Sequence, residues 1–274
     1  MSVRIAEVQL GPHADSAAIA MVVCWSAPAK LNALSPAMLR RATGAIEQAN
    51  ADPRVVAVVF CGDPASRVMS SGADLDAAAA EEADGASPVL DFMLAVMRCK
   101  PLVCVAIHGA AVGMNVTLLP HADLVVADSG AWLATPFGSL GICPEFAASK
   151  ALPAMIGHQR ALRLMLWGTR LPADEAAALG LVTELVQEGA PLSPLCPEGL
   201  ATAALGRVLE RLQALAATVP RAAETARLFR KMLRDATEDK AAAERLAEQE
   251  LRVLRARVDE GVPMEGIALR ASRL

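Results

Sequence analysis

Residues 100–153 read KPLVCVAIHGAAVGMNVTLLPHADLVVADSGAWLATPFGSLGICPEFAASKALP. The order of parts in this stretch decides the fold class. An apolar run at 102–107 has the length and the β-branched content of a buried strand. A Gly-Ala turn follows at 108–113, and a helix is expected to open at Gly113-Met114-Asn115. A second strand returns at 124–127, after His121-Ala122-Asp123. A loop then carries Thr135-Pro136-Phe137. Pro144-Glu145 is expected to start another helix, with Pro144 at the first helical position and Glu145 at the second. A strand that feeds a glycine turn and a helix start leaves backbone N–H groups able to face negative charge. Glu145, further along the same stretch, offers a carboxylate beside them.

Outward from that centre the same alternation repeats. Towards the start, 3–10 and 19–25 read as two strands of a hairpin-like pair, with Gly11-Pro12-His13-Ala14-Asp15 between them. A loop at 27–34 leads to Ser35 as N-cap, Pro36 at the first helical position, and a helix over 36–50. Residues 55–61 form a buried strand closed by Gly62-Asp63-Pro64. Residues 68–75 enter a helix or loop, and the Ala-rich acidic stretch 77–87 reads as a mobile loop or weak helix. Residues 91–99 are helical. Beyond the centre, helices are expected at 150–156, 158–166 and from 171 to Gly180, then a strand at 181–186. Residues 189–199, rich in Pro and Gly, read as a linker. From 200 onward the pattern is helical, with stops at Pro220 and Gly261. The class is therefore α/β, with a core at 1–199 and a helical region at 200–274 that packs on the core or on a neighbouring subunit.

Composition narrows the function. The 274 residues suit one large domain, and the apolar fraction is 54%. The chain has no Tyr, 3% aromatic residues and a net charge of −4. Those values argue against base stacking and against binding a phosphate backbone. The six cysteines, Cys24, Cys61, Cys99, Cys104, Cys143 and Cys196, form no C-x-x-C pair. They have no zinc-type spacing to His13, His108, His121 or His158, so they read as idle thiols in a reducing compartment. No signal peptide is expected. The apolar stretch 102–120 is cut by His108, Asn115 and glycines, which argues against a membrane span. Ser272-Arg273-Leu274 loosely resembles a peroxisomal address. The Ala- and Arg-rich composition looks bacterial, and the expected location is cytoplasmic, or peroxisomal if the source is eukaryotic.

Two segments look like hydrogen-bond donors for one oxyanion. In Ser71-Gly72-Ala73-Asp74, Gly72 permits a strained turn that exposes the Ala73 N–H. In Gly113-Met114-Asn115, the Met114 N–H is among the unpaired amides of a helix start. Removing one such donor from an oxyanion site costs ~3–4 kcal/mol of transition-state stabilisation.

Taken together, KLNAL (30–34), SSGADL (70–75), HGAAVGMNVTLLPHADLVVA (108–127), ATPFGSLGICPE (134–145) and LPADEAAALGLV (171–182) resemble, in this order, the enoyl-CoA hydratase/isomerase (crotonase) superfamily. The likeness spans 3–186 and is strongest to the Δ3,Δ2-enoyl-CoA isomerase branch and the chromodomain-linked crotonase-like proteins. It implies a spiral of β-β-α units, a homotrimer or a hexamer made of two trimers, and an acyl-CoA thioester as ligand. By the same resemblance the Ala73 and Met114 amides hold the thioester oxygen. Lys30, Leu31, Ala33, Ser71, Gly72, Asp74, Leu75, Gly113 and Phe137 are then placed around coenzyme A and the acyl group.

The two glutamates of the hydratases match Thr117 and Phe137, and neither of these can act as a base. Glu145 matches the isomerase glutamate, and a single carboxylate suffices for a 1,3-proton shift through a dienolate. No metal or redox cofactor is implied; coenzyme A enters as part of the substrate. Hydration, another crotonase-type reaction, or acyl-CoA binding without turnover stay open as alternatives. This chain carries Phe146 where relatives have a small residue, Met114 where many have glycine, and His108 where Asn is usual. His108 reads as a turn histidine bonded to backbone, and Phe146 as a ring that shortens the acyl pocket or shields Glu145. Asp74 and Asp123 read as structural. Arg227, Arg230, Lys231 and Arg234 read as a solvated face, with the phosphates of coenzyme A as the alternative contact.

Overall fold

The structure, a computed structural model, describes residues 2–11, 18–74, 77, 87–237 and 239–263. Leu75, His13, most of the acidic Ala-rich stretch and the last three residues lie outside these. Strands β1 (Ser2–Gln9) and β2 (Ile19–Ser26) pair antiparallel, in register from Ser2 opposite Ser26 to Gln9 opposite Ile19. Strands β3 (Val55–Gly62), β4 (Leu102–Ile107), β6 (Leu124–Asp128) and β9 (Glu184–Val186) then add in parallel, giving a six-stranded sheet in the order β1-β2-β3-β4-β6-β9. A second sheet is built from β5 (Ala110–Val112), β7 (Trp132–Ala134) and β8 (Leu171–Pro172). Each circuit of the central stretch thus places one strand in the large sheet and one in the small sheet before a helix follows. This is the expected α/β spiral of β-β-α units.

The small sheet is where the sequence reading fell short. The expected turn at 108–113 contains β5, and the loop before Thr135 contains β7. Three-residue strands carry no readable alternation, so only their partners reveal them. The corner between β4 and β5 depends on Gly109, whose φ is +57°; a Cβ there would run into the Arg67 carbonyl.

Helices cover both faces of the large sheet, which explains why its inner strands are nearly continuous apolar runs. On one face lie α1 (Pro36–Ala51) and α2 (Pro88–Met97). Here Trp25, Phe60 and Phe92 form a buried cluster with ring centroids 5.6–5.8 Å apart. Ser35 caps α1 by accepting from the Met38 N–H, as expected from Ser-Pro. On the other face, Val22, Cys24, Val59, Cys61 and Val126 meet Leu205, Val208 and Leu209. These leucines and valine belong to α8 (Ala203–Thr218) in the chain order α3 (Met114–Thr117), α4 (Phe137–Leu140), α5 (Ala148–Ile156), α6 (His158–Met165), α7 (Ala173–Ala178) and α8. Helices α9 (Ala222–Thr237) and α10 (Lys240–Asp259) complete the described chain. All six cysteines are free thiols, four of them buried. Among the described residues no helix is long and apolar enough to cross a membrane.

The basic residues of α9 correct the solvated-face reading. Arg230 and Arg234 are buried. The Arg230 Nε lies 2.5 Å from the Asp123 carboxylate, and its Nη1 donates to the Cys99 carbonyl. Arg227 donates to the carbonyls of Ala49 (2.9 Å) and Asp52 (2.5 Å), groups that the end of α1 leaves without an intrahelical partner. Only Lys231 behaves as read, pairing with Asp235 in solvent. A helical wheel cannot show which polar positions face a chain end elsewhere in the fold. Asp123, read as structural, is so: it also accepts from the Val103 N–H at 2.7 Å.

Replacing Arg230 by Met leaves the Asp123 carboxylate without its cation. The expected loss is about 3 kcal/mol of stability. It is read as a lower urea midpoint at unchanged slope, whereas Lys231→Met is expected to stay within ~0.5 kcal/mol of the parent.

Candidate active site

The first donor segment is held by two isolated bridges. Ser70 donates to the Ala110 carbonyl at 3.2 Å and accepts from the Val112 N–H at 3.1 Å, which ties the segment to β5. On the other side, Leu34 donates to the Gly72 carbonyl at 2.8 Å and Asp74 donates to the Leu34 carbonyl at 2.9 Å. That parallel pattern uses the groups flanking Ala73 and turns the N–H of Ala73 away from Leu34. Gly72 sits at φ +98°, open to glycine and strained for other residues.

The second donor segment begins at Gly113, with φ 61° and ψ −121°, a conformation essentially reserved for glycine. Gly113 donates to the Ala134 carbonyl at 2.9 Å, and its own carbonyl accepts from Val116 at 2.8 Å. Helix α3 is a single buried turn that starts at Met114. Among the described residues neither the Ala73 nor the Met114 amide has a hydrogen-bond acceptor. The two segments touch: a Cβ built on Gly113 lies 3.7 Å from the Gly72 Cα, and one built on Gly72 lies 3.5 Å from the Val112 oxygen. Two unpaired amides from distant parts of the sequence therefore follow directly on two glycines in contact.

Glu145 does not sit where its sequence context suggested. Residues 144–147 are not helical, and α5 begins only at Ala148. Phe146 (φ 64°) and Ala147 (φ 56°) are both left-handed, a conformation that costs about 1–2 kcal/mol per non-glycine residue. The cause is the Phe146 ring. It is fully buried, stacked on His121 at 4.7 Å and edge-on to Phe92 at 6.3 Å. Burying such a side chain is worth roughly 2–3 kcal/mol, which offsets much of the turn's strain. His121 Nε2 lies 2.8 Å from the Phe146 carbonyl, so that nitrogen carries the proton. The ring is thus part of the core that fixes the turn.

Glu145 is 8% exposed, and its carboxyl makes no hydrogen bond to the described residues. Burial raises its pKa to about 7, and the charge of Glu250 adds to the rise. The competition between burial and a helix start is settled by geometry, because the helix starts beyond it.

The other expected site residues fall into three groups. Lys30 and Asp74 form an ion pair at 2.8 Å, with Asp74 buried. Leu31 and Ala33 belong to the same loop, which Ser71 joins by donating from its N–H to the Leu31 carbonyl at 2.9 Å. Phe137 and Thr117 are buried, and the Thr117 hydroxyl is taken up by the Met114 carbonyl at 3.3 Å. His108 Nε2 meets the Ser66 carbonyl at 3.1 Å, as its turn reading implied.

Sequence reading missed two residues. Asn32, fully buried, accepts from the Ala27 N–H and donates to the carbonyls of Asp63 and Val68. A lone Asn in a loop between Lys30 and Leu34 was the available signal. Glu250 gave none, being one acid among many on a charged helix.

Residues 15–260 match the sequence profile of the family described as Enoyl-CoA hydratase/isomerase. Enoyl-CoA delta isomerase 2 of Rattus norvegicus is 38% identical over 174 residues, 61% of this chain and 44% of that protein. A probable enoyl-CoA hydratase of Rhodobacter capsulatus is 30% identical over 171 residues, 61% of this chain and 65% of that one. The chain thus spans less than two thirds of the length of these relatives. Among solved structures, an enoyl-CoA hydratase/isomerase from Pseudoalteromonas atlantica shares the fold at TM-score 0.80 and 24% identity, over 100% of this chain and 98% of that one. Pseudomonas aeruginosa OdaA follows at TM-score 0.78 and 28% identity, over 97% of both chains.

Unfolded Glu145 titrates at the ordinary glutamate value and folded Glu145 at about 7. Between those values the folded chain holds a proton that the unfolded chain has released. Stability therefore falls as pH rises through this window and levels off above it. Glu145→Gln cannot ionise and is expected to exceed the parent in stability above that window, by on the order of 3 kcal/mol. Below the ordinary glutamate pKa the two should match. Paired urea titrations at acid and alkaline pH check this, and a gap that does not change with pH contradicts it.

Proposed function

Because this chain belongs to the enoyl-CoA hydratase/isomerase family, we propose that it processes acyl-CoA thioesters, and that its reaction is the Δ3,Δ2-enoyl-CoA isomerisation. The observation that carries this reading is the buried carboxyl of Glu145, which has no hydrogen bond among the described residues and a pKa raised to about 7. A general base works best when its pKa is close to the operating pH. Glu145 takes the proton from C2 of a 3-enoyl thioester. The C2–H electron pair becomes the C2=C3 bond of a dienolate, with its charge on the thioester oxygen. The Ala73 and Met114 amides stabilise that oxygen. Glu145 then delivers the proton to C4, which leaves the double bond between C2 and C3. Proton and electrons balance within the substrate, so the reading needs no metal or redox cofactor, and coenzyme A enters only as part of the thioester. Thr117 and Phe137 offer no second base to activate a water, which favours isomerisation over hydration.

The names of the hydratase relatives support a second reading, hydration of a 2-enoyl thioester. Turnover of 3-enoyl- and 2-enoyl-CoA, measured side by side, separates the two. Glu145→Gln is expected to lower isomerisation by about 10²- to 10⁴-fold. A variant that keeps most of its rate ends the proton-shuttle reading.

Self-association belongs to the same proposal. On α9, Leu228, Phe229, Met232 and Leu233 are 53–65% exposed on one stripe, opposite the buried arginines. A contiguous apolar stripe of this kind marks an interaction surface. Sedimentation is expected to show a trimer or hexamer, and Phe229→Asp with Met232→Asp is expected to reduce it to smaller species. A parent chain that sediments as a monomer removes this part.

A further inference from the structure

Helix α5 starts without a cap of its own. Its N-cap is Ala147, which has no side-chain acceptor to offer the first amides. The missing acceptor arrives from far along the chain. Glu250 on α10 is 6% exposed, and its Oε1 accepts from the Ser149 N–H at 3.0 Å and from the Ser149 hydroxyl. The amides of Ala147 and Ala148 also face this carboxylate. On the other side of the turn, the Cys143 thiol donates to the Glu250 backbone carbonyl at 3.3 Å. One residue therefore grips the chain both before and after Glu145. The second oxygen, Oε2, is buried and has no hydrogen-bond partner among the described residues.

We propose that Glu250 is a positioning residue for Glu145: it clamps both ends of the turn through Cys143 and Ser149, and sets a second carboxylate beside the first. This rests on the reading of Glu145 as the proton carrier. Two carboxylates in one dry region resist ionising together, so the charge of Glu250 makes Glu145 hold its proton more tightly. Burial raises the pKa of both, while the Ser149 hydrogen bonds pull Glu250 back. The other titratable groups around the turn are the Cys143 thiol, Arg257 on α10 near that thiol, and His121 at the Phe146 carbonyl. The arrangement makes the competence of the base depend on the docking of α10.

Two substitutions separate clamp from charge. Glu250→Gln keeps an oxygen for Ser149 and removes the charge. Glu250→Ala removes both. The first readout needs no turnover: the titration of the Glu145 carboxyl in the full chain, followed by carbon NMR with labelled glutamate and assigned through Glu145→Gln. Glu250→Gln is expected to lower its midpoint by about half a pH unit or more, with the acid limb of kcat/KM moving equally. Glu250→Ala is expected to lower kcat by about 10- to 100-fold through misplacement of the base, with KM nearly unchanged. A Glu145 midpoint unmoved in a folded Glu250→Gln protein overturns the proposal, whether or not Glu250→Ala folds. If Glu145→Gln retains activity while the midpoint still moves, the isomerase reading fails and the pairing of Glu145 with Glu250 stands.

Discussion

Ser70 pairs with Ala111, and that bridge is what sets the two donor segments side by side. Its two hydrogen bonds fasten the segment after β3 to the strand after β4. Gly72 is thereby pressed against Val112 and Gly113. Neither amide of the donor pair means anything alone, since an unpaired N–H at a turn or a helix start normally meets water. Brought side by side, they form the pair of donors that the proposed reaction needs at the thioester oxygen. Glycine is favoured at both positions because their φ values of +98° and +61° strain any residue with a Cβ.

The turn that carries Glu145 is built on the reverse principle. Among the described residues Glu145 has no cap, no cation and no hydrogen bond, and it is buried all the same. Such a carboxyl costs the fold stability at alkaline pH, and the turn that holds it adds two left-handed residues. Phe146 makes this affordable by locking the turn into the aromatic cluster around His121 and Phe92. Strain and poor solvation concentrated at one residue, with strong packing on either side, is a pattern that folding alone does not explain. Glu250 connects this turn to the end of the described chain, so that a C-terminal helix reaches the turn that carries the proposed base.

Much of the architecture was legible in the residues. The long strands, Ser35 as a cap and the alternation of strand with helix follow from local periodicity, which acts over a few residues. The donor glycines were legible too, because glycine before a helix start has few other uses. The small sheet was not, since three-residue strands have no period to read. Arg227 and Arg230 were misplaced because a charge on a helix face reads the same whether it meets water or a distant carbonyl.

By itself the sequence determined an α/β chain and two glycine-hinged segments, consequences of backbone preference and spacing, and its resemblance to a known family singled out one carboxylate. The tertiary structure alone decided that Glu145 stands outside the helix, that its carboxyl is dry, and that Glu250 caps the helix that follows it. Burial and charge proximity depend on which distant surfaces meet, and a linear pattern holds no record of that.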